Sequence, residues 1–333
     1  MGESPHKRHY IKSLNKTKVG LLSVGKHCKT NIIPALLSMD QVEIVGFCTR
    51  NTETIETLVD SYGLTNFTSD NELLDIDDLD FIYISSPNSE HYSQVIMALK
   101  HGVNVVVEKT AVDSLDKALE VKKIADAKGL MVFEAFMYKY HSQFLRLKQI
   151  IDEKIYGTPK KVFINFGFPH LSSEDIRYSK ALSGGALMDA GAYTISAVQE
   201  LFSDNKLVYS SIDKHGYDVD ISGSAVFQTG DDIKCFLNWG FGLSYKNDIE
   251  VWTNDRHILV ERAFSKPADY RAKISFSKNG KLSLDSDDSC NHFVKMFNYA
   301  FCLPKNQYVI INEKLCSQME DIESILRNGK SHA

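Results

Sequence analysis

Short apolar runs alternate with longer amphipathic stretches over the first 136 residues of the chain. The runs are continuously apolar, which is typical of strands buried on both faces of a parallel sheet. Three of the stretches between them have helical spacing and stop at Gly63, Gly102 and Gly129, because glycine ends a helix at the least cost. The alternation predicts a doubly wound α/β sheet. The apolar runs are 19–22, 42–47, 81–85, 103–107 and 130–136.

After about residue 138 the pattern changes. Apolar and polar residues alternate, which is typical of an antiparallel sheet with one covered face. We predict a doubly wound domain over 17–137, an α+β domain on an open, mainly antiparallel sheet over 138–333, and a flexible tail over 1–16. Helices are predicted over about 139–154, 185–202, 289–302 and 312–327, and strands over 160–168, 206–215, 223–230, 233–241, 249–253, 257–264 and 272–277.

Composition narrows the class of protein. A chain of 333 residues with 43% apolar residues suits two globular domains, and a net charge of -5 argues against a nucleic-acid partner. No apolar run approaches the roughly 20 residues that span a bilayer, and the first residues lack the apolar core of a secretory signal. The six cysteines have neither CxxC nor metal-ligand spacing. We therefore expect a cytoplasmic protein with reduced thiols, no membrane contact and no metal.

The first predicted strand runs into a loop where dinucleotide-binding proteins carry the pattern GxGxxG. Ser23 and Cys28 replace the first and third glycines, and only Gly25 remains. The loop still opens a helix, whose free N–H groups and dipole attract phosphate. Taken alone, it supports an ordinary strand–turn–helix as well as a cofactor site of Rossmann type. In a cofactor site the contacts would be made by Ser23, Val24, Gly25, Lys26 and His27.

The end of the second predicted strand bears on which cofactor is bound. A site for NAD usually has an acidic residue here, about 20 residues after the loop, to hold the ribose 2′-hydroxyl. This chain has Thr49 and Arg50 instead. A guanidinium can bind a 2′-phosphate and stack on adenine, although a solvated surface arginine is the alternative. The substitution favours NADP, in its reduced form NADPH, over NAD.

Three motifs occur in order along the chain: Glu108-Lys-Thr110, Glu134-Ala-Phe-Met-Tyr-Lys-Tyr-His141 and Ser183-Gly-Gly-Ala-Leu-Met-Asp-Ala-Gly-Ala-Tyr193. Together they resemble the Gfo/Idh/MocA family of oxidoreductases, which implies a Rossmann domain followed by an α/β domain with an open sheet. The tyrosine that ends the third motif, and the segments 168–178, 250–252 and 261–264, are most similar to one branch. That branch includes nucleotide-sugar 3-ketoreductases, dihydrodiol dehydrogenases and glucose–fructose oxidoreductase.

The resemblance implies that Lys109 and Tyr193 are catalytic and contact the substrate. Reduction of a ketone needs a proton donor, and a nearby ammonium would lower the high pKa of a tyrosine. From chemistry alone, Lys109 can equally be a surface lysine and Tyr193 a buried helix tyrosine. Asp189 lies four residues before Tyr193 and shares its helix face. It can orient the substrate or Lys109, or serve as a structural partner.

The remaining candidates lie at the carboxyl edge of the sheet or in the second domain. Residues 85–88 follow the third apolar run and can line the cofactor, although they also suit a plain turn. His91 fits a helix start better than a catalyst. Arg177 is a candidate phosphate contact or a surface ion pair. The additional cofactor-binding candidates are Ser85, Ser86, Pro87, Asn88, His91, Glu108, Lys109 and Arg177.

Three functions remain open at this stage. The first is NADP-dependent reduction of a sugar ketone, at C3 of a keto-sugar nucleotide. The second is a dehydrogenase of free sugars or trans-dihydrodiols. The third is a catalytically silent, cofactor-binding regulator, against which the retention of Lys109 and Tyr193 argues. An exposed second-domain sheet would also favour a homodimer or homotetramer.

Overall fold

A computed structural model describes residues 16–286 and 289–332. The tail predicted over 1–16 lies outside this range apart from Lys16. The described residues form a five-stranded sheet followed by a nine-stranded one. Both sheets pack against helices, and the buried apolar side chains of the two halves form one continuous core.

The first sheet is parallel throughout and has the order β2-β1-β3-β4-β5, which confirms the predicted doubly wound domain. Each predicted apolar run contains or overlaps one strand, because strands covered on both faces carry almost no polar side chains. The strands are β1 (Thr17–Leu22), β2 (Val42–Cys48), β3 (Phe81–Ile84), β4 (Asn104–Val107) and β5 (Val132–Glu134).

Helices connect these strands, and their ends follow the expected chemistry. Asn51 and Ser114 accept backbone hydrogen bonds as N-caps of α2 and α5, while Gly63 and Gly129 take the left-handed conformation at the C-caps. A single π-helical turn, Cys28–Ile32, precedes α1, and α3 was not predicted. The helices are α1 (Ile33–Leu37), α2 (Thr52–Tyr62), α3 (Asp70–Leu74), α4 (Asn88–Lys100) and α5 (Leu115–Lys128).

The second sheet is mainly antiparallel, as predicted, with parallel pairs only where β6 meets β9 and β7 meets β14. Its order is β13-β12-β11-β10-β6-β9-β8-β7-β14. The two strands that come last in the sequence, β13 and β14, lie outside the predicted segments. The strands are β6 (Pro159–Phe168), β7 (Lys206–Asp213), β8 (Ser222–Gln228), β9 (Lys234–Phe241), β10 (Lys246–Thr253), β11 (His257–Glu261), β12 (Lys273–Lys278), β13 (Lys281–Ser286) and β14 (Lys330–His332).

Four further helices complete the fold, and two of them return to the first sheet. They are α6 (Ser142–Asp152), α7 (Ala192–Leu201), α8 (His292–Cys302) and α9 (Tyr308–Asn328). Asn312 of α9 accepts a hydrogen bond from the backbone N–H of Val132 at 2.8 Å and donates to Asp126 and the carbonyl of Leu130. The helices α8 and α9 therefore pack against the first sheet, although they follow the second sheet in the sequence. The domain division at 137/138 stays a prediction. No helix in the described range is long and apolar enough to span a membrane.

Replacing Asn312 with alanine is expected to destabilise the protein by about 2–4 kcal/mol. The variant leaves the N–H of Val132 without its acceptor and removes the donor to the carbonyl of Leu130, and unpaired buried polar groups are costly. Asp126 keeps its ion pair with Lys122. Urea denaturation would measure the change. Asn328→Ala, at an exposed position in the same helix, is the control and should remain within about 0.5 kcal/mol of the wild type. Equal stabilities of the two variants would contradict this account.

Candidate active site

Two clefts meet at the carboxyl edge of the first sheet, the edge at which doubly wound folds bind ligands. The cofactor cleft has a volume of about 470 Å³ and is lined by the loop 23–26, the segment 49–51 and the turn 85–87. The reaction cleft has a volume of about 330 Å³ and contains Lys109, Asp189 and Tyr193. Residues 85 and 86 line both clefts. A ligand in the first cleft can therefore reach the groups in the second.

The altered glycine loop keeps the geometry that a phosphate needs. Ser23 adopts a left-handed backbone with φ of 60°, and its N–H donates to the carbonyl of Cys48 at 2.9 Å. Ser85 Oγ donates to the carbonyl of Ser23 at 2.7 Å. A Cβ added at Gly25 would meet no protein atom within 4 Å, so the space beside this glycine is open. The residues of the loop therefore fit a dinucleotide, although two of the three glycines are missing.

Cations line the cofactor cleft, and no carboxylate does among the described residues. Arg50 and Lys26 are exposed at its wall. Lys29, which the sequence analysis missed, also lines it and donates to Thr54 Oγ1 at 3.2 Å. The N–H of Lys29 bonds the carbonyl of Gly25 at 3.0 Å, one helical turn away. That four-residue interval was the signal that could have revealed Lys29, because it places both residues on one helix face.

Lys109, Asp189 and Arg177 form a linked charge network in the reaction cleft. Lys109 Nζ donates to Asp189 Oδ1 and lies 3.4 Å from the carbonyl oxygen of the same residue. Arg177 Nε donates to Asp189 Oδ2 at 2.7 Å, and its Nη1 donates to Asp175 at 3.1 Å. Burial alone would raise the pKa of Asp189, but the two cations outweigh it and lower the pKa. Asp189 is therefore a carboxylate that bridges the two cations.

Arg177 was predicted as a cofactor contact, and the structure places it elsewhere. It lines the reaction cleft and is not among the residues that line the cofactor cleft. The alternative prediction, an ion-paired arginine, agrees with the structure, because the Nε and Nη1 atoms of Arg177 bond two carboxylates. In the described structure Arg177 is therefore an ion-paired residue of the reaction cleft.

Tyr193 lies in the same cleft and is only 7% exposed. Its hydroxyl donates to Met137 Sδ at 3.7 Å, whereas Lys109 Nζ lies 5.1 Å above the centre of its ring. Burial, with the charges of Glu108 and Asp189, raises the pKa of Tyr193 well above its usual value. The expectation of a lowered pKa is therefore wrong for this arrangement, because burial and the nearby carboxylates dominate. Tyr193 is held as a neutral phenol.

Glu108 lines the reaction cleft and not the cofactor cleft. Its carboxylate accepts hydrogen bonds from Tyr83 and from His27 Nε2, the latter at 3.2 Å. Burial tends to lower the pKa of His27, but the bond and charge of Glu108 outweigh it, so that the pKa is raised. His27 also lines the reaction cleft. The pair thus brings an imidazole, bonded to a carboxylate, from the glycine loop to the junction of the clefts.

His91 was predicted as a cofactor contact, and the structure places it away from the cofactor cleft. It is fully buried and lines neither cleft. Its Nδ1 lies 2.7 Å from the carbonyl oxygen of Thr110 and its Nε2 lies 2.8 Å from that of Ser86. His91 thus ties together the two loops that follow β3 and β4. Asn88, in contrast, lines the reaction cleft and donates to the carbonyl of Ser183 at 3.4 Å.

Residues that could bind a metal are not gathered anywhere in the two described segments of the chain. Over residues 16–286 and 289–332, no three histidine, cysteine, aspartate or glutamate side chains are grouped so as to hold an ion. All six cysteines are free thiols.

Curated relatives and solved structures were compared with the whole chain. A dTDP-3,4-didehydro-2,6-dideoxy-alpha-D-glucose 3-reductase of Saccharopolyspora spinosa is 26% identical and covers 84% of this chain and 86% of its own. An NADP(+)-dependent D-xylose 1-dehydrogenase of Haloferax volcanii is also 26% identical, over 94% of this chain and 98% of its own. A 3-ketoreductase of Actinomadura kijaniata, crystallised with NADP and TDP-benzene, shares the fold with a TM-score of 0.86 at 23% identity, over 95% and 99% of the two chains.

Family models match both halves of the chain. Residues 17–136 match the model described as an oxidoreductase family with an NAD-binding Rossmann fold, and residues 144–258 match the C-terminal domain of the same family. The two ranges together span well over half of the sequence. They also agree with the parallel and antiparallel sheets described above. The chain belongs to the Gfo/Idh/MocA family of oxidoreductases.

Proposed function

We propose that the protein is an NADPH-dependent reductase of a sugar ketone. The observation that carries the proposal is the juxtaposition of Lys109 and Tyr193 in a cleft that adjoins the cofactor cleft. NADPH would supply the hydride at this junction. The two side chains supply what the carbonyl oxygen of a ketone needs, an electrophilic contact and a proton.

Tyr193 is the proposed proton donor. Its raised pKa keeps the phenol protonated at neutral pH, so the proton is present when the substrate binds. The hydroxyl has only a weak acceptor, Met137 Sδ at 3.7 Å, which a carbonyl oxygen would replace with a stronger bond. Lys109 would donate a second hydrogen bond to that oxygen. Asp189 would hold the Lys109 ammonium in place, acting as a positioning residue.

The proposed cofactor preference is for NADPH over NADH. Lys26, Lys29 and Arg50 line the cofactor cleft without an opposing carboxylate, which suits a ligand with an additional phosphate. Arg50 and Thr49 occupy the position after β2 at which an acidic residue would bind a free ribose hydroxyl. The names of an NADP(+)-dependent relative and of a structure crystallised with NADP support the same preference.

The proposed substrate is a nucleotide-linked keto-sugar, reduced at C3. The support for this class is that relatives of the chain are 3-reductases of a dTDP-linked keto-sugar. A dehydrogenase of free sugars is the second candidate, because the xylose dehydrogenase covers a larger share of the chain at the same identity. Comparing turnover of a nucleotide-linked keto-sugar with oxidation of D-xylose would separate the two.

Fluorescence titration with NADPH and NADH tests the cofactor proposal. We expect the wild type to bind NADPH more tightly, and Lys29→Met or Arg50→Met to weaken NADPH by roughly 10- to 100-fold with little change for NADH, since each removes a charged hydrogen bond to phosphate. Lys123→Met, at an exposed position on α5, should change neither. Binding of neither cofactor by the wild type would refute the proposed function, and equal losses for both cofactors would refute the assignment to the 2′-phosphate.

We also propose that the open face of the second sheet joins copies of the chain into a homodimer or homotetramer. On this face Phe163 stacks on Phe236 with ring centres 5.0 Å apart, and Trp252, 44% exposed, packs against Phe163 at 5.0 Å. Aromatic side chains of this kind are enriched at protein interfaces. Sedimentation of the wild type and of Trp252→Glu would test the assignment.

A further inference from the structure

Three aromatic side chains, which we call the aromatic shelf, lie beyond the reaction cleft. They are His170, Tyr178 and Tyr217. The rings of Tyr178 and Tyr217 are 5.4 Å apart with 29° between their planes, and those of His170 and Tyr217 are 6.2 Å apart at 25°. Tyr217 is 42% exposed. The shelf therefore presents nearly parallel rings to solvent, unlike the edge-to-face pairs that surround Tyr193, such as its contact with Phe136 at 83°.

The shelf is continuous with the reaction cleft. Phe166 contacts Tyr193 at 5.3 Å, and Phe168, two residues further along β6, also lines the cleft. Two residues of a strand advance by about 7 Å on one face. Phe168 packs on Phe241 at 5.1 Å, and Phe241 contacts the ring of Tyr178 at 5.6 Å. An unbroken row of rings thus leads from the proposed proton donor outward to the shelf.

Hydrogen bonds hold the shelf rigidly. The hydroxyl of Tyr178 accepts from the N–H of Leu171 at 3.1 Å and lies 3.0 Å from His170 Nδ1. Gly242 has φ of +71°, and a Cβ there would lie 2.3 Å from His170 Nε2, so the imidazole occupies space that only glycine leaves open. Rings that are already fixed lose little conformational freedom when a planar ligand stacks on them.

Arg177 stands between the cleft and the shelf. It lines the reaction cleft and directly precedes Tyr178 in the same short turn, Ile176–Tyr178. Its Nε and Nη1 atoms bond Asp189 and Asp175, whereas Nη2 makes no hydrogen bond to any described residue. One donor of a permanent cation therefore remains for a ligand group that lies between the reacting sugar and the rings.

We propose that the aromatic shelf binds the base of a nucleoside diphosphate whose sugar end enters the reaction cleft, with Arg177 Nη2 donating to the diphosphate. The inference rests on the proposed function and names the part of the site that selects a nucleotide-linked sugar over a free one. A planar base stacks on aromatic side chains whatever its edge pattern, so the shelf recognises the class of ligand rather than one base. A free sugar would leave the shelf empty.

Titration with thymidine diphosphate tests the inference, in the presence and absence of NADP+. Tyr217→Leu is expected to weaken binding of thymidine diphosphate by roughly 5- to 100-fold, the effect of losing one stacked ring, while Tyr217→Phe keeps the affinity. Tyr62→Leu is the matched control, because Tyr62 is 46% exposed at the end of α2 and lines neither cleft. None of the three substitutions should alter the affinity for NADPH.

Two results would overturn the inference. One is a wild type that does not bind thymidine diphosphate at millimolar concentration, and the other is an unchanged affinity in Tyr217→Leu. If that variant fails to fold, saturation-transfer NMR on the wild type decides instead: the base protons should receive the largest transfer, and a larger transfer to the ribose would contradict base stacking. The NADPH titration tests the proposed function separately. A protein that binds NADPH but no nucleoside diphosphate would still support the reductase proposal, and it would contradict the role of the aromatic shelf.

Discussion

Tyr193→Phe should lower the turnover number with a keto-sugar substrate by on the order of 10²- to 10⁴-fold, the usual contribution of a positioned proton donor. The variant removes only the hydroxyl. The ring would still fill the space among Phe136, Phe166 and Phe264, whose centres lie 5.3 to 5.6 Å away. Stopped-flow measurement of NADPH oxidation would report the rate, and the affinity for NADPH should not change.

Tyr138→Phe supplies the control for this comparison. Tyr138 is another buried tyrosine of the same aromatic cluster, 5.8 Å from Tyr193, and its hydroxyl bonds Ser196 at 2.6 Å rather than facing the cleft. Its removal should affect stability by about 1 kcal/mol and the rate by only a few-fold. If Tyr193→Phe retained the wild-type rate, another group would have to supply the proton.

Lys109→Met has the second large expected effect, a loss of on the order of 10²- to 10⁴-fold in kcat/KM. The substitution keeps much of the side-chain volume but removes the ammonium that lies beside Tyr193 in the reaction cleft. Asp189 would remain paired with Arg177, so the cleft would not gain an unpaired carboxylate. Steady-state kinetics with a keto-sugar, together with NADPH titration, would separate catalysis from cofactor binding.

Two further variants sharpen the test of Lys109. Lys109→Arg keeps the charge but not the shape, so a rate that stays low would show that the position of the donor matters. Lys117→Met removes a more exposed lysine of α5 that is likewise paired with an aspartate, Asp113, and should leave kinetics unchanged. Wild-type kcat/KM in Lys109→Met would exclude this residue from the mechanism.

The first sheet could be predicted almost strand by strand, and the physical reason is burial. Strands covered on both faces, such as β3 and β4, must be apolar along their whole length, so the pattern of one segment is enough to locate them. The helix ends at Gly63 and Gly129 could be predicted from the local sequence as well, since a single left-handed glycine marks each of them. The strand β13 was missed because it has only two apolar residues, Leu282 and Leu284, and so short an alternation does not locate a strand.

The parts of the site that were missed depend on contacts between distant segments. His91 meets carbonyl oxygens of two loops, and nothing in the local sequence announces that both of its ring nitrogens are used. The high pKa of Tyr193 follows from burial and from the closeness of the Glu108 and Asp189 carboxylates, neither of which a motif reports. The catalytic roles, the domain boundary at 137/138 and the cytoplasmic location stay predictions.

The path of the chain between the two sheets has a consequence for how the site opens. The backbone passes from the first sheet to the second after β5, returns to the first with α8 and α9, and crosses again when β14 pairs with β7 beside Ser211. Three covalent connections, rather than one linker, therefore join the two halves. Each connection limits how far the halves can separate, so any opening of the cleft between them is restrained more than it would be by a single linker.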